Sequence, residues 1–352
     1  MSGGVDSSVA AALLAREGRD VVGFTLNIWP AQSGEPGARN CCSPRSIDDA
    51  RRVCAILGIP HYVLDFREVF AKTVIDRFAA SYFEGITPNP CIDCNQFIKF
   101  GALHRKAREI GAGAIATGHC ARADSEGPGG RRRLLRGSAQ AKDQSYVLYV
   151  LSQDQLAAAV FPLGELDKPS VREIAADLGL PVADKPESMD ICFAAGDYRS
   201  FARDWTGKRG EPGPIEDATG RRVGTHRGLE EYTVGQRKGL GIALAEPAYV
   251  TAIDVGRNVL RVGCHKDALV TEFEVRDLNL VSVAAITAGQ SVTVKVRSRM
   301  AELPARVFPL GGTSVRVVMQ EPAWAVAPGQ AAVFYDGDVV VGGGRIARPL
   351  SG

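Results

Sequence analysis

The chain opens with Ser2-Gly3-Gly4-Val5-Asp6-Ser7-Ser8, and the fold is predicted outward from this stretch. It leads directly into 9–16, where nearly every residue favours a helix. Backbone N–H groups at a helix start converge on anions, and glycines let a phosphate approach closely. A serine can cap this helix, and Asp6 is suited to hold Mg²⁺ between phosphate oxygens. The stretch therefore predicts a phosphate-binding loop.

A phosphate loop of this kind is expected to follow a buried strand, yet only Met1 precedes it here. A parallel sheet without its central strand would leave unpaired backbone groups on both neighbouring strands. We therefore expect the native chain to begin upstream of Met1, which an intact-mass measurement on the native protein would test.

Length and composition describe a globular protein of several domains. The chain has 352 residues, of which 45% are hydrophobic and 23% charged, and its net charge is +2. Two or three domains are expected at this length. No apolar run is long enough to span a bilayer and no signal peptide precedes the loop, so we expect a cytoplasmic protein without a membrane partner. The eight cysteines are then expected to be thiols.

Strand and helix patterns alternate through the first half of the chain. The predicted strands are 21–26, 61–65 and 111–117, and the predicted helices are 46–57, 66–82, 96–109, 142–160 and 170–178. Ser46 with Asp49, and Ser170 with Glu173, resemble capping boxes. This alternation predicts an α/β fold, a parallel sheet with helices on both faces. The carboxyl end of the first strand, near Leu26, is expected beside the ligand.

After Asp204 the pattern changes to short strands separated by Gly and Pro turns. We predict a first domain at 1–204, a small central adaptor domain at 205–265 and a C-terminal β-barrel at 266–352. Within the first domain, 124–136 reads as a hairpin that carries three consecutive arginines, Arg131 to Arg133. The pattern fits a solvated surface and a nucleic-acid contact equally well.

Two cysteines are candidates for chemistry. Cys94, in Asn89-Pro90-Cys91-Ile92-Asp93-Cys94, is predicted at the start of a helix, where the dipole lowers a thiol's pKa. Cys192 lies in Asp190-Ile191-Cys192-Phe193, after a proline-containing loop. Cys41 and Cys42 form a weaker candidate pair. Cys54 and Cys264 are expected to be buried packing residues.

The loop Ser2 to Ser8 resembles the signature of the PP-loop ATP pyrophosphatases, and it is not a Walker A motif because no Gly-Lys-Ser/Thr follows. Further motifs stand in the order found in the bacterial tRNA-specific 2-thiouridylases, and the match covers essentially the whole chain. They are 89–100, 117–122, 142–148, 190–193 and 232–241.

The resemblance implies a sulfur transfer. Members of this family adenylate the C2 oxygen of the wobble uridine, position 34, of tRNA and replace that oxygen with sulfur. By position, Cys192 is implied to be the persulfide carrier and Cys94 the catalytic nucleophile. Two thiols suit this chemistry because the second releases the transferred sulfur by forming a disulfide with the carrier. The implied cofactors and partners are ATP, Mg²⁺, tRNA and a sulfur donor, either a cysteine desulfurase or a relay protein.

The resemblance also implies roles for other positions. The phosphates and metal would be held by Ser2, Gly3, Gly4, Val5, Asp6 and Ser7, and the adenosine part would meet Leu26 and Gly118. Asn89, Pro90 and Cys91 would line a pocket for the flipped target base. The tRNA would meet His119, Lys142, Asp143, Gln144, Arg297, Ser298 and Gln330. As a lone histidine, His119 fits a structural role equally well.

Two departures from the family leave the sulfur chemistry open. Some members carry an aspartate where this chain has Cys91, and Asp93 is expected to point elsewhere. Cys91, Cys94 and Cys192 together supply three thiolates, enough for a 4Fe–4S cluster that would carry the sulfur instead of a persulfide. A zinc site lacks a fourth ligand at suitable spacing. The sequence is also compatible with a PP-loop ligase that forms amides with ammonia and with a non-catalytic RNA-binding protein.

Overall fold

The computed structural model describes residues 1–29, 44–186, 191–194, 197–243 and 246–350. Cys41 and Cys42 lie outside the described residues, as does Asp190 of the second cysteine motif. The chain divides into two compact units. The first contains 1–75, 91–198 and 338–340, and the second contains 76–90, 199–337 and 341–352. The division into domains at 204 and 265 stays a prediction.

Parallel strands and helices alternate in the first unit, as predicted. The strands are β1 (Gly23–Asn27), β2 (His61–Asp65), β3 (Ile115–Ala116), β4 (Ala121–Asp124), β5 (Arg133–Arg136) and β6 (Ala159–Val160). β1 pairs in parallel with β2, with Phe24 opposite Tyr62, and β3 pairs in parallel with β6. β4 and β5 form the predicted antiparallel hairpin.

The two parallel pairs are separate two-stranded sheets, and within the described residues no strand joins them. The start of the chain lies beside β1, because the Met1 amino group donates to the carbonyl of Phe24 and Thr25 Oγ1 donates to the carbonyl of Met1. The residues that lead into the first helix therefore contact the edge of β1.

Helices cover these strands. They are α1 (Val5–Arg16), α2 (Pro44–Leu57), α3 (Arg67–Phe70) continued by the π-helical segment Ala71–Ile75, α7 (Gln153–Ala158) and α8 (Lys168–Asp177). α1 packs against α8, burying Val5 and Val9 with Val171 and Ala175 in one apolar cluster. The sequence pattern predicted α2 to within two residues.

The cap of α8 differs from the prediction. Asp167 occupies the N-cap and accepts a hydrogen bond from the N–H of Ser170, so the helix begins one turn before the predicted box of Ser170 and Glu173. The reason is Pro169, which favours the first turn of a helix and carries no N–H to satisfy. A true capping box forms at Ser152 and Gln155, where it starts α7.

A second correction concerns the Cys94 helix, predicted to begin at residue 96. It begins at Pro90 with α5 (Pro90–Asp93), continues as a π-helical segment, Cys94–Ala102, and ends with α6 (Leu103–Glu109). Proline is favoured at a helix start, so Cys91 occupies the first turn and Cys94 the second. Cys94 is therefore not the first residue of the helix.

The predicted long helix 142–160 is wrong. The segment forms short 3₁₀ turns, Gln140–Lys142 and Ser145–Val147, followed by α7 and β6. Asp143 causes the break, since its carboxylate accepts from the N–H groups of Gly137 and Ser145 and so competes with helical hydrogen bonding.

The second unit contains a small four-stranded sheet in the order β8 (Arg222–His226), β7 (Gly213–Glu216), β10 (Val259–Gly263), β9 (Tyr249–Asp254). The same unit contains helix α4 (Asp76–Phe83), all of α9 (Tyr198–Thr206) after its first residue, and the 3₁₀ turns Leu229–Glu231 and His265–Ala268. A cluster around Ile215, Val250 and Leu260 forms the core of this sheet.

The predicted C-terminal barrel is confirmed. Its strands are β11 (Leu269–Leu280), β12 (Gln290–Lys295), β13 (Leu303–Gly311), β14 (Ser314–Trp324), β15 (Ala331–Asp336) and β16 (Val339–Pro349). They pair in the order β11-β14-β13-β12-β15-β16, and β16 pairs with β11 to close the barrel. Alternating valines point inward, among them Val292, Val294, Val315 and Val317.

No helix in the described part of the chain is both long and apolar enough to cross a membrane.

Candidate active site

The loop before α1 has a conformation that only glycine supports well. Gly3 has φ +65°, and a Cβ added there would lie 2.2 Å from the carbonyl oxygen of Ser46. Gly4 is the N-cap of α1 in extended conformation and makes no side-chain cap. The first turn of α1 thus presents backbone N–H groups that no N-cap side chain covers, as an anion site requires.

Serines brace this loop internally. Ser7 Oγ accepts from the N–H of Ser2 at 3.1 Å and lies 3.0 Å from Ser2 Oγ. Ser8 is buried, and its hydroxyl donates to the carbonyl of Gly4 at 2.9 Å. Val5 packs in the core between α1 and α8, so its side chain faces away from any ligand of the loop. Of the predicted positions, Val5 can contribute only its backbone.

Two lysines that no sequence motif indicated reach the loop. Lys168 Nζ donates to Asp6 Oδ1 at 2.6 Å. Lys185 Nζ donates to the Gly3 carbonyl and to Asp49 Oδ2, both at 2.7 Å. Each lysine precedes a proline, Pro169 or Pro186, and the proline restricts its backbone. This shared Lys-Pro pattern is the feature of the sequence that could have drawn attention to both lysines, although it does not by itself indicate a phosphate site.

Gly118, predicted on the adenosine side, lies directly against the loop. A Cβ at this position would be 2.7 Å from the carbonyl carbon of Asp6 and 2.8 Å from the N–H nitrogen of Ser7. The backbone of 117–118 can therefore approach the start of α1 only because residue 118 is glycine. Leu26, half-buried at the carboxyl end of β1, is at the sheet edge where α/β folds bind ligands.

His119 follows on the same segment and is buried. Its Nδ1 is 2.8 Å from Thr117 Oγ1, its Nε2 is 3.4 Å from Lys99 Nζ, and its ring packs against those of Phe100 and Phe161. Burial, followed by the charge of Lys99, holds the pKa of His119 well below its usual range. The imidazole is neutral at pH 7, and its contact with RNA stays a prediction.

The first cysteine motif forms the start of the helix that begins at Pro90. Cys91 is exposed, Cys94 is half-buried and Asp93 is buried at 1% exposure. The buried position of Asp93 agrees with the expectation that it points away from the Cys91 side chain. Asn95 Nδ2 donates to the carbonyl of Val147 at 2.9 Å, which ties this helix to the segment after Gln144.

The two cysteine motifs contact the same helical segment. The ring of Phe193, next to half-buried Cys192, packs edge-on against Phe70 at 5.6 Å between centroids. The π-helical segment that begins at Cys94 packs against α3 and against Ala71–Ile75. Residues far apart in sequence thus both contact α3, and the reaction of Cys94 with Cys192 remains a prediction.

Cys54 and Cys264 were both expected to be buried packing residues. Cys54 is buried at 1% exposure, as expected, and burial raises the pKa of its thiol. Cys264 is only partly buried, so the expectation of a buried packing residue is wrong; it follows β10 at the start of a 3₁₀ turn.

The side chains differ in how well they fit the two implied metals. In the part of the chain described here, no three His, Cys, Asp or Glu side chains form a group that could hold a metal ion. Cys91, Cys94 and Cys192 therefore do not fit a 4Fe–4S cluster in this arrangement. Mg²⁺ commonly takes one or two carboxylates and completes its shell with substrate phosphates and water, so the single partly exposed carboxylate of Asp6 fits it.

The predicted tRNA residues serve several local purposes. Asp143 and Gln144 bind backbone groups, with Gln144 Oε1 accepting from Cys120 N–H at 3.0 Å. Arg297 donates to the carbonyls of Val234 and Ala325 and lies over Trp324. Lys142 is half-buried and Ser298 is exposed. Their contacts with tRNA stay predictions.

Gln330 has a more specific environment. Its Nε2 donates to the carbonyl of Thr87 at 3.0 Å and to that of Pro88 at 3.3 Å. Thr87 N–H donates to the carbonyl of Pro328, and Gly329 packs against Ile86. The turn before β15 therefore holds the segment that leads into Asn89-Pro90-Cys91.

In the Arg131–Arg133 hairpin, Arg133 is committed to acidic partners. Its guanidinium pairs with Asp124 at 2.6 Å and with Glu126 at 2.7 Å. The pKa of the Asp124 carboxyl is lowered mainly by its hydrogen bond to Arg133. This pairing favours the surface-hairpin interpretation for Arg133.

Comparison with known proteins assigns all three parts of the chain. A family model described as the tRNA methyl transferase HUP domain matches residues 1–196. The tRNA methyl transferase PRC-barrel domain matches 200–264, and the aminomethyltransferase β-barrel domain matches 270–346. This succession agrees with the predicted Rossmann-like domain, small central domain and barrel.

The relatives are similar over nearly their full length. A protein named tRNA-specific 2-thiouridylase MnmA from Moorella thermoacetica is 51% identical over 348 residues, which is 98% of either chain. The protein of the same name from Heliobacterium modesticaldum is 48% identical over 353 residues, 99% of this chain and 92% of that protein. Among solved structures, the U34-tRNA thiolase NcsA of Methanococcus maripaludis with its 4Fe–4S cluster matches at 20% identity over 59% of this chain and 62% of that one. Its TM-score is 0.35, so this likeness supports no conclusion. By contrast, sequence identity of about one half over nearly the full length shows that the chain belongs to the family of tRNA-specific 2-thiouridylases, MnmA.

Proposed function

We propose that the protein is a transferase that replaces the C2 oxygen of the wobble uridine, position 34, of tRNA with sulfur and consumes ATP in the reaction. The observation that carries this proposal is the full-length similarity to proteins named tRNA-specific 2-thiouridylase. The glycine loop before α1, with two lysines at it, supports the use of a nucleoside triphosphate.

In the first step the uridine C2 oxygen attacks the α-phosphorus of ATP, and pyrophosphate leaves. Gly3, Gly4, the backbone at Val5 and Asp6, and the Ser7 hydroxyl bind the phosphates. Asp6 would hold Mg²⁺, which neutralises phosphate charge when bound. Leu26 and Gly118 contact the adenosine part. Adenylation is needed because an oxygen doubly bonded to carbon is a poor leaving group.

In the second step the sulfur comes from a persulfide on Cys192, loaded by a cysteine desulfurase or a relay protein. The terminal persulfide sulfur attacks C2, and AMP leaves with the former C2 oxygen. The Cys94 thiolate then attacks the Cys192 sulfur, which forms a Cys94–Cys192 disulfide and releases the 2-thiouridine. A thiol reductant must reduce this disulfide before the next turnover.

The target base must leave its stack to expose C2 to both thiols. Asn89, Pro90 and Cys91 are proposed to line its pocket, at the start of the helix that carries Cys94. His119, Lys142, Asp143, Gln144, Arg297, Ser298 and Gln330 are proposed to act at the tRNA surface, directly or by positioning the segments that meet it. Contacts to phosphates predict that affinity falls as salt rises.

The test is reconstitution. Purified full-length protein is incubated with unmodified tRNA, Mg²⁺, a persulfide donor and a thiol reductant, with and without ATP, and digested tRNA is analysed by mass spectrometry. We expect 2-thiouridine only when ATP is present, with AMP and pyrophosphate formed in equal amounts. Thiouridine formed without ATP, or tRNA bound but never thiolated, would refute the proposal.

A further inference from the structure

Lys168 is held at the phosphate loop from a rigid position. It is the first residue of α8, Asp167 caps that helix, and α8 packs against α1. Its Nζ is 2.6 Å from Asp6 Oδ1, and its side chain is only 16% exposed. A lysine is rarely buried without an acidic or polar partner. The fold therefore holds the ammonium group of Lys168 beside Asp6 at the loop.

The partner of Lys168 at the loop is the carboxylate of Asp6. Mg²⁺ bound with ATP takes carboxylate oxygens, and the carboxylate proposed to bind it is that of Asp6. The metal and the ammonium group therefore compete for one carboxylate. Once the metal holds Asp6, Lys168 Nζ loses this anionic partner beside an arriving anion.

We infer that Lys168 is a ligand of the ATP phosphates and that Asp6 holds its ammonium group in place until Mg²⁺ and ATP bind. The inference rests on the proposed function and extends it to a residue outside the glycine loop. A lysine ammonium group is a common phosphate ligand because it supplies a compact positive charge with three donors.

Lys185 has a different role at the same loop. Its Nζ binds the Gly3 carbonyl and Asp49 of α2, so both of these partners belong to the protein scaffold. It fixes the backbone of the loop and is a positioning residue, whereas Lys168 contacts the ligand. Lys106, paired on the exposed surface of α6 with Glu109 at 2.9 Å, is a matched control for the loss of one paired lysine.

The experiment measures binding of α,β-methylene-ATP with Mg²⁺ to the full-length protein without tRNA. This analogue cannot be cleaved at the α–β position, so the readout is independent of turnover. We expect Lys168→Met to weaken binding by about 10- to 100-fold, the value of a hydrogen bond to a charged group. Lys168→Arg should recover most of this loss, and Lys106→Met should bind as the wild type does.

Thermal unfolding of each variant shows whether it is folded, and Lys168→Gln replaces Lys168→Met if the methionine variant does not fold. Wild-type affinity in a folded, uncharged Lys168 variant overturns the inference. If the wild type binds the analogue and Lys168→Met does not, the inference stands even where reconstitution yields no 2-thiouridine. In that case the proposed function is refuted, whereas the role of Lys168 in binding the nucleotide is not.

Discussion

At the scale of single residues, charge pairs determine the loop geometry. Lys185 is 28% exposed and Asp49 17% exposed, so both are withdrawn from water together. Removing one partner leaves the other poorly solvated, which costs more than the pair contributes. The same reasoning does not apply to pairs such as Arg51 with Asp48, whose side chains are mostly exposed.

We therefore predict that Lys185→Met lowers the free energy of unfolding by about 1–3 kcal/mol, because Asp49 and the Gly3 carbonyl both lose a donor. Lys106→Met, which breaks an exposed pair, should cost less than about 1 kcal/mol. Urea unfolding monitored by circular dichroism measures both. Equal, small losses would show that Lys185 does not hold the loop.

His119 makes stability depend on pH. Its pKa is depressed in the folded protein, first by burial and then by Lys99, whereas the unfolded chain protonates near pH 6.5. The unfolded state thus binds more protons below that pH. The stability that depends on a neutral His119 is therefore fully present above about pH 6.5 and is lost as the pH falls.

We predict that, below about pH 6.5, the free energy of unfolding of the wild type decreases with falling pH more steeply than that of His119→Gln, by up to about 1.4 kcal/mol per pH unit. Urea unfolding between about pH 5 and 7.5 gives both slopes, and parallel slopes would contradict a buried neutral imidazole. Burial also lowers the pKa of His61, and the comparison with the variant removes that contribution.

At the scale of elements, the approach of α2 to the loop depends on Gly3. Gly18 provides a matched comparison, since both residues have positive φ, +65° and +74°, but nothing lies within 4 Å of a Cβ added at Gly18. We predict that Gly18→Ala costs about 1–2 kcal/mol from backbone strain alone. Gly3→Ala adds a clash with the Ser46 carbonyl and should cost several kcal/mol more, with loss of nucleotide binding. Unfolding and nucleotide titration of the two variants test this, and equal stabilities would mean that α2 can move away.

The helices and strands show how much of the fold could be predicted from the sequence. The period of apolar residues located α2 closely, because this helix buries Ala50, Val53 and Cys54 along one face. It also located β2, although no residue of that strand is buried. It failed over 142–160, where the carboxylate of Asp143 binds the local backbone. The loop glycines were recognisable because their spacing is local. Lys168 and Lys185 were not, since they reach the loop from about 160 to 180 residues away.

At the scale of the whole molecule, the barrel positions another part of the chain in the same unit. The closed barrel has a continuous valine-rich core, so the turn before β15 is held rigidly. Gln330 on that turn donates to the carbonyls of Thr87 and Pro88. A residue expected to touch tRNA therefore also fixes the backbone just before the proposed base pocket.

We predict that Gln330→Ala lowers the thiolation rate at saturating tRNA by about 10- to 100-fold, because a small misplacement of the pocket is enough to slow the reaction. The tRNA dissociation constant should change little. Gln290→Ala, which removes an acceptor for Thr287 N–H elsewhere in the barrel, is the control. Weaker tRNA binding at an unchanged saturating rate would show instead that Gln330 contacts the tRNA directly.

The proposed mechanism requires that Cys192 carries the sulfur and that Cys94 releases it. A single turnover of Cys94→Ser, Cys192→Ser and the control Cys264→Ser with tRNA, ATP and a persulfide donor tests this requirement, with mass spectrometry of the digested tRNA and of the protein as the readout. We predict no 2-thiouridine from either of the first two variants, normal product from the control, and one Cys94–Cys192 disulfide per thiouridine in the wild type. Normal thiouridine from Cys94→Ser or Cys192→Ser would contradict the mechanism.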